Sequence, residues 1–341
     1  MSPSRPNISI MSELVKLSAS RIKTLQSCSW MYYCNYNLKL PQKNNSGAMR
    51  GTVAHLIFEV LANPRHEHYV KKIVKDKTCL KSPAIFKLII KAAKREGLDL
   101  DEMVPPLKKS GQEITNLKCI DEMILVGLKF DFIGDYKLIG SEWEFDITSE
   151  EPKYRIGGFV DRIFKDKKQM IIRDFKSSKK AFKGEELESN LQGMMYSLAL
   201  RKKYKKQKDI LVRFLFLRYP DDPERECPHF SEEELIGFEH YLEYISQYLK
   251  NFDEKKARSN FASSEYSRKW MCKTKSGWRC PYLDQFEYKV LIDKDGKTIK
   301  SIFANEEFKQ KDLKPEYRIE TRTYEGCPAW KQVQSNNDFD F

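Results

Sequence analysis

The chain has 341 residues, 40% of them hydrophobic, enough for a sizeable core in one elaborated domain or two. No uninterrupted apolar run approaches the roughly 18 residues of a membrane-spanning helix, which excludes that class. With 61 basic against 49 acidic residues the net charge is +12, which favours an anionic partner.

Residues 1–11 are polar with scattered apolar positions and lack a signal peptide's apolar core; with 333–341 they read as loose tails. A cytoplasmic setting is therefore expected. In it the eight cysteines read as packing residues or metal ligands rather than disulfide partners. Helical periodicity runs from about Ser18 to Tyr36, Ala48 to Ala62, Ser82 to Glu96 and Gln112 to Phe132. Ser82 is placed to cap the third of these, Pro83 takes its first position and Gly97 follows its end. Strands are expected near 137–148, 154–165 and 169–176. A helix over 187–204, a strand at 209–217 and a helix over 231–251 follow. Beyond them, Tyr288–Ile292 and Thr298–Ile302 flank Asp295-Gly296, a favoured hairpin turn pair. Cys79 and Cys119 fall in helical patterns and are expected to pack as small apolar residues, and Cys227 is read as a loop thiol beside Pro228.

The segments that carry chemistry are GGFVD, ending at Asp161, and RDFKSS, beginning at Arg173. The β-rich residues between them break at Asp166-Lys167-Lys168-Gln169, which reads as a turn. A turn centred between Lys167 and Lys168 sets Asp161 opposite Asp174, and Lys176, two residues on, shares their face. Opposed carboxylates destabilise a hairpin unless something lies between them, and a divalent cation answers that need. Such a site suits phosphodiester hydrolysis, with Lys176 orienting water or stabilising developing charge. Taken alone, Asp174-x-Lys176 reads as a strand-end ion pair, since the tripeptide is frequent by chance.

Other candidates lie around this pair. Glu144 sits on the preceding strand and offers a third carboxylate, although Glu142 and Asp146 share its parity. His55 and Glu59 are four apart on a helix, as are Gln192 and Tyr196. Lys176, Lys179, Lys180 and Lys183, and the run Arg201 to Lys208, suit backbone phosphates. Trp30, Tyr32, Tyr33 and Phe182 are candidates for stacking on unpaired bases.

The order Gly51…His55, Glu144, Gly-x-x-Asp161, Asp174-x-Lys176, Gln192-x-x-x-Tyr196 resembles the PD-(D/E)XK nuclease superfamily, and within it the RecB-like branch. The resemblance implies an α/β restriction-endonuclease-like core, a mixed sheet flanked by helices, with an N-terminal helical insertion at about 60–135. It implies His55, Asp161 and Asp174 as ligands of Mg²⁺ or Mn²⁺, with the Phe175 carbonyl as another. Glu144 would support the site, Lys176 would be catalytic, and Gln192 and Tyr196 would orient the site or the DNA.

Ser18-Ala19-Ser20-Arg21 followed by Cys28 and Tyr32 resembles the N-terminal signature of RecB-like nucleases that carry an iron–sulfur cluster, including the CRISPR-adaptation exonucleases. Ser29 stands where a proline is usual. Three C-terminal cysteines complete the cluster in those proteins; here Cys272, Cys280 and Cys327 are available, suiting a [4Fe–4S] cluster, or a structural zinc as the alternative. A long insertion separates Cys280 from Cys327, unlike the family's close spacing, and Cys34 is a substitute for Cys28. The layout expected is a nuclease domain over 12–265 and a cysteine-rich region over 266–332. The resemblance implies a metal-dependent DNA exonuclease acting on single-stranded or free ends. The alternatives are an end-processing subunit active with a helicase, recombinase or integrase, an RNA nuclease, and a cysteine-rich zinc protein that binds nucleic acid without catalysis.

Overall fold

The computed structural model describes residues 14–42, 45–107, 111–130, 137–166, 168–205, 207, 209–273 and 279–330. Both expected tails, and Lys167, Lys206 and Lys208 of the expected turn and basic run, lie outside the described residues. The chain forms two compact units. One draws on Met1–Ser18 and Asn44–Tyr244, the other on Ala19–Lys43 and Ile245–Phe341.

The first unit is built on a six-stranded mixed sheet. Its strands are β1 (Lys16–Leu17), β2 (Lys137–Thr148), β3 (Arg155–Lys165), β4 (Met170–Lys176), β5 (Ile210–Phe216) and β6 (Glu224–Glu226). The order is β1-β3-β4-β5-β6, with β2 on the other edge of β3. Pairing is antiparallel for β2–β3, β3–β4 and β5–β6, and parallel for β1–β3 and β4–β5. A parallel pair needs a crossover, and the helix Leu191–Lys203 supplies it between β4 and β5. β4 is buried from Met170 to Phe175, so its sequence reads as a near-continuous apolar run rather than an alternation.

Four helices form the second layer: α1 (Ser46–Leu61), α2 (Glu67–Asp76), α3 (Pro83–Glu96) and α4 (Asn116–Phe130). Val53, Ile57, Phe58, Ile73, Ile89, Ile120 and Ile124 pack into one core with Phe175, Leu215 and Leu217 from the sheet side. Burying each aliphatic side chain contributes roughly 1.5–3 kcal/mol before ordering costs. Helix α3 begins and ends as its Ser82-Pro83 and Gly97 signals predict, with Gly97 left-handed, although the Ser82 hydroxyl makes no capping bond. Helix α2 has no counterpart in the periodicity reading. It is ten residues long and buries only Val70 and Ile73, too few positions to stand out. The crossover helix becomes α5 (Leu191–Lys203), and α6 (Glu232–Leu249) follows β6 in the chain.

In the second unit the helix expected from Ser18 to Tyr36 is broken. It runs Ala19–Ser27, stops at an extended Cys28 (φ −162°, ψ 107°), and restarts over Ser29–Tyr32. Three antiparallel strands follow later: β7 (Phe286–Ile292), β8 (Thr298–Phe303) and β9 (Arg318–Tyr324). The expected hairpin is β7–β8, turning at Gly296 with φ +80°. The third strand, β9, was not expected; it pairs along the other edge of β7 and returns the chain.

Candidate active site and cysteine pocket

The register that pairs Arg162 with Arg173 sets Asp161 level with Asp174, as a turn centred between Lys167 and Lys168 requires. The β3–β4 ladder stops one step short of the two aspartates, while the far end of β3 pairs with β1 instead. The strands part there, and helix α1 delivers His55 to the opening. His55 Nδ1 lies 3.3 Å from Asp161 Oδ1, and its Nε2 lies 3.1 Å from the Phe175 carbonyl oxygen. Asp161 Oδ2 accepts from the Phe175 N–H at 2.6 Å. Gly51 allows this close approach, because a Cβ there would overlap the Ser177 side chain.

Asp174 is 3% exposed. Its Oδ1 accepts from Gln192 Nε2 at 2.9 Å and lies 2.8 Å from the Tyr196 hydroxyl, which also reaches the Phe159 carbonyl at 2.7 Å. Oδ2 pairs with the Lys176 ammonium, 2.6 Å away. Lys176 also donates to Gln192 Oε1 at 2.7 Å. Gln192 and Tyr196, one turn apart on α5, therefore grip Asp174.

The third carboxylate at this point is Glu142. One ligand atom from each of His55, Glu142 and Asp161 lies within 4.8 Å of the others. The register that pairs Ser141 with Arg162 and Trp143 with Val160 sets Glu142 level with Asp161. Glu142 has a left-handed backbone (φ +48°), an uncommon state for a non-glycine residue and one that recurs at functional sites. Glu144 is two residues further along. It is exposed, and its carboxylate lies 3.8 Å from Lys16. The sequence did carry a signal for Glu142: a turn centred on Glu151-Pro152 puts it opposite Asp161.

Electrostatics follow from this crowding. Burial, then the charge of Asp161, pushes the Glu142 carboxyl up to about 7. Burial also raises Asp174, with Lys176 opposing and Asp161 adding to the rise. For His55, burial disfavours the imidazolium, but the Asp161 hydrogen bond and the charges of Asp161, Asp174 and Glu142 outweigh it, so its pKa is raised. A nitrogen and two crowded carboxylates, with the buried Asp174 carboxylate beside them, form a donor set that fits a hard divalent cation. The group opens into a cleft of about 560 Å³ lined by Thr52, His55, Glu59, Arg95, Glu142 and Ser177.

A profile of the PD-(D/E)XK nuclease superfamily matches residues 16–285. The chain belongs to that superfamily. Membership implies metal-dependent nuclease activity, and the His55–Glu142–Asp161 group is a place where this PD-(D/E)XK nuclease can hold a divalent ion. No curated protein matches the chain. Among the described residues no helix is long and apolar enough to cross a membrane.

In the second unit Cys28, Cys272, Cys280 and Cys327 line one cavity of about 20 Å³, with Met31, Met271 and Leu283 among its apolar walls. The Cys280 N–H bonds the Cys272 carbonyl at 2.8 Å, and the Cys327 N–H bonds the Leu283 carbonyl at 3.1 Å. Strand β9 thus brings Cys327 back beside Cys280 across the long insertion. Gly326 (φ +86°) makes the approach possible, since a Cβ would stand 2.9 Å from the Leu283 oxygen. Burial raises the thiols of Cys272 to about 11 and of Cys280 to about 12. Cys34 is buried but does not line the cavity; its thiol points to the Tyr324 hydroxyl, 3.6 Å away. None of the eight cysteines is paired in a disulfide. Cys79 lies just before α3 rather than in a helix, and with Cys119 it is buried; Cys227 is also buried, facing Gly193 of α5. Two stacking candidates are corrected by their burial: Trp30 and Tyr32 are core residues of the second unit. Among the described residues its most exposed rings are Tyr266, 96% exposed, and Trp270, 61% exposed.

Proposed function

We propose that the chain is a divalent-metal-dependent DNA exonuclease acting on single-stranded or free ends. One observation carries this reading: His55, Glu142 and Asp161, from three separate elements, converge on one point beside the ion pair of Lys176 with the buried Asp174. In this reading Mg²⁺ or Mn²⁺ is held by His55, Asp161, Asp174 and the Phe175 carbonyl, and Glu142 takes the part expected of Glu144. When bound, the ion polarises a phosphoryl oxygen and lowers the pKa of water. The residues do the rest. Gln192 and Tyr196 hold Asp174 in one rotamer, and the Lys176 ammonium is the positioned cation and proton donor for an oxygen arriving at Asp174. The net charge of +12 and the exposed Lys179, Lys180 and Lys183 support a phosphate backbone as substrate. Tyr266 and Trp270, beside Lys269 and Lys273, support unpaired bases as what the second unit meets.

The second part of the proposal is a [4Fe–4S] cluster on Cys28, Cys272, Cys280 and Cys327, clipping Ala19–Lys43 to the C-terminal region. Thiols raised by burial become thiolates when a metal centre supplies the positive charge. The C-x-x-C knuckle typical of structural zinc sites does not occur among these four cysteines, which favours a multi-iron centre over a single zinc. A cytoplasmic setting, and work alongside a helicase, recombinase or integrase, complete the proposal.

The test is anaerobic digestion of end-labelled single- and double-stranded DNA with Mn²⁺, comparing the parent with Lys176→Ala and adding unlabelled RNA as competitor. Cleavage by the parent alone, progressing from the ends and resistant to RNA, is expected. Equal cleavage by both proteins removes the site, and preferential inhibition by RNA makes the enzyme a ribonuclease.

A further inference from the structure

Arg162 is only 2% exposed, among the largest fully buried side chains of the molecule. Taking a guanidinium out of water costs several kcal/mol unless it is well bonded. Its bonds run to the elements that deliver the candidate ligands. Nη2 donates to the Phe58 carbonyl at 2.7 Å, in α1 three residues beyond His55. Nη1 donates to the Ser141 hydroxyl, the neighbour of Glu142 on β2. Nη1 also lies 3.3 Å from the backbone oxygen of Asp161 on its own strand. The guanidinium carbon stands 5.5 Å from the Phe175 ring centre, and the Phe175 backbone meets both His55 and Asp161.

We infer that Arg162 is the positioning residue that sets the spacing of the divalent-metal ligands. A rigid fork can hold the helix, β2 and β3 at once, because its donors lie at fixed angles in one plane. The inference rests on the metal reading of His55, Glu142 and Asp161. Lysine keeps the charge but has a single ammonium that cannot span Phe58, Ser141 and Asp161 together. Neutral methionine of similar length loses all three bonds. Partners that orient metal ligands typically change metal affinity by about 10–100-fold when removed. Arg162 would act on affinity rather than on the chemical step, so saturating metal should restore turnover.

The experiment titrates Mn²⁺ into metal-free parent, Arg162→Lys and Ser141→Ala, by calorimetry and by the paramagnetic signal of free Mn²⁺. Circular dichroism and apo melting report folding. The expected result is Arg162→Lys folded, binding Mn²⁺ at least ten-fold more weakly, with nuclease turnover at saturating Mn²⁺ within a few-fold of the parent. Parental affinity in a folded Arg162→Lys overturns the inference while leaving the metal site standing. Should that variant not fold, Ser141→Ala decides, since it removes one arm only. Affinity weakened several-fold supports positioning, and unchanged affinity overturns it. Absence of Mn²⁺ binding by the parent removes the metal reading and this inference with it.

Discussion

Replacing Glu142 with glutamine tests the crowding of carboxylates at the strand opening. In the metal-free protein this carboxyl is raised from 4.5 to about 7, by burial first and then by the charge of Asp161, with Glu59 adding and His55 and Arg162 opposing. At about 1.4 kcal/mol per pH unit, ionised Glu142 costs the folded state roughly 3 kcal/mol above pH 7. A carboxyl raised on folding leaves stability intact below its unfolded value near 4.5 and removes it as pH rises through about 7. Glutamine mimics the protonated form at every pH. Parent and Glu142→Gln should therefore melt together at pH 4.5 and diverge with rising pH. By pH 8 the variant should be the more stable by roughly 6–12 °C in chelator, at about 2–4 °C per kcal/mol.

Mn²⁺ should invert the ranking, because the ion relieves the repulsion that glutamine has already removed. The parent should gain stability on adding metal, increasingly so from pH 5.5 to 8, and the variant should bind at least ten-fold more weakly. Differential scanning fluorimetry across pH, with and without Mn²⁺, reads both effects. A melting difference that stays constant from pH 5 to 8 would refute the crowding argument. Equal Mn²⁺ responses would take Glu142 out of the ligand group.

Glu144→Gln in the same assay should change stability by less than about 0.5 kcal/mol and leave Mn²⁺ binding unaltered, since Glu144 is exposed and its ion pair with Lys16 is a loose 3.8 Å. Tyr196→Phe removes a hydroxyl 2.8 Å from Asp174 Oδ1 but leaves Gln192 in place; single-turnover cleavage should slow about ten-fold, roughly 1.4 kcal/mol, with Mn²⁺ affinity nearly kept. Cys327→Ala should bleach visible absorbance and lower iron content in an anaerobic preparation, whereas Cys227→Ala, in the other unit, should do neither. Replacing Tyr266 and Trp270 together by alanine should weaken single-stranded DNA binding by about 1–3 kcal/mol per lost stack, read by fluorescence anisotropy, without moving the melting temperature.

What the chain reveals before folding follows the range of the interactions involved. The opposition of Asp161 and Asp174 is a local property, since a polar break over Asp166–Gln169 fixes the pairing of two adjacent strands. The same arithmetic applied to the turn at Glu151-Pro152 sets Glu142, rather than Glu144, level with Asp161. The left-handed backbone at Glu142 belongs to another category, because nothing in Ser-Glu-Trp announces it. The break at Cys28 is likewise invisible to periodicity: the Ser29 N–H that restarts the helix is bonded to the carbonyl of Asn260, more than 200 residues away. Strand β9 escaped because Arg318–Tyr324 is mostly exposed, so its pairing with β7 leaves no apolar alternation to read. That strand is nonetheless what returns Cys327 to Cys280. The four cysteines that line the cavity can be singled out from their neighbours in sequence, while their convergence depends on an edge strand and on a glycine, Gly326, whose left-handed turn clears the Leu283 carbonyl.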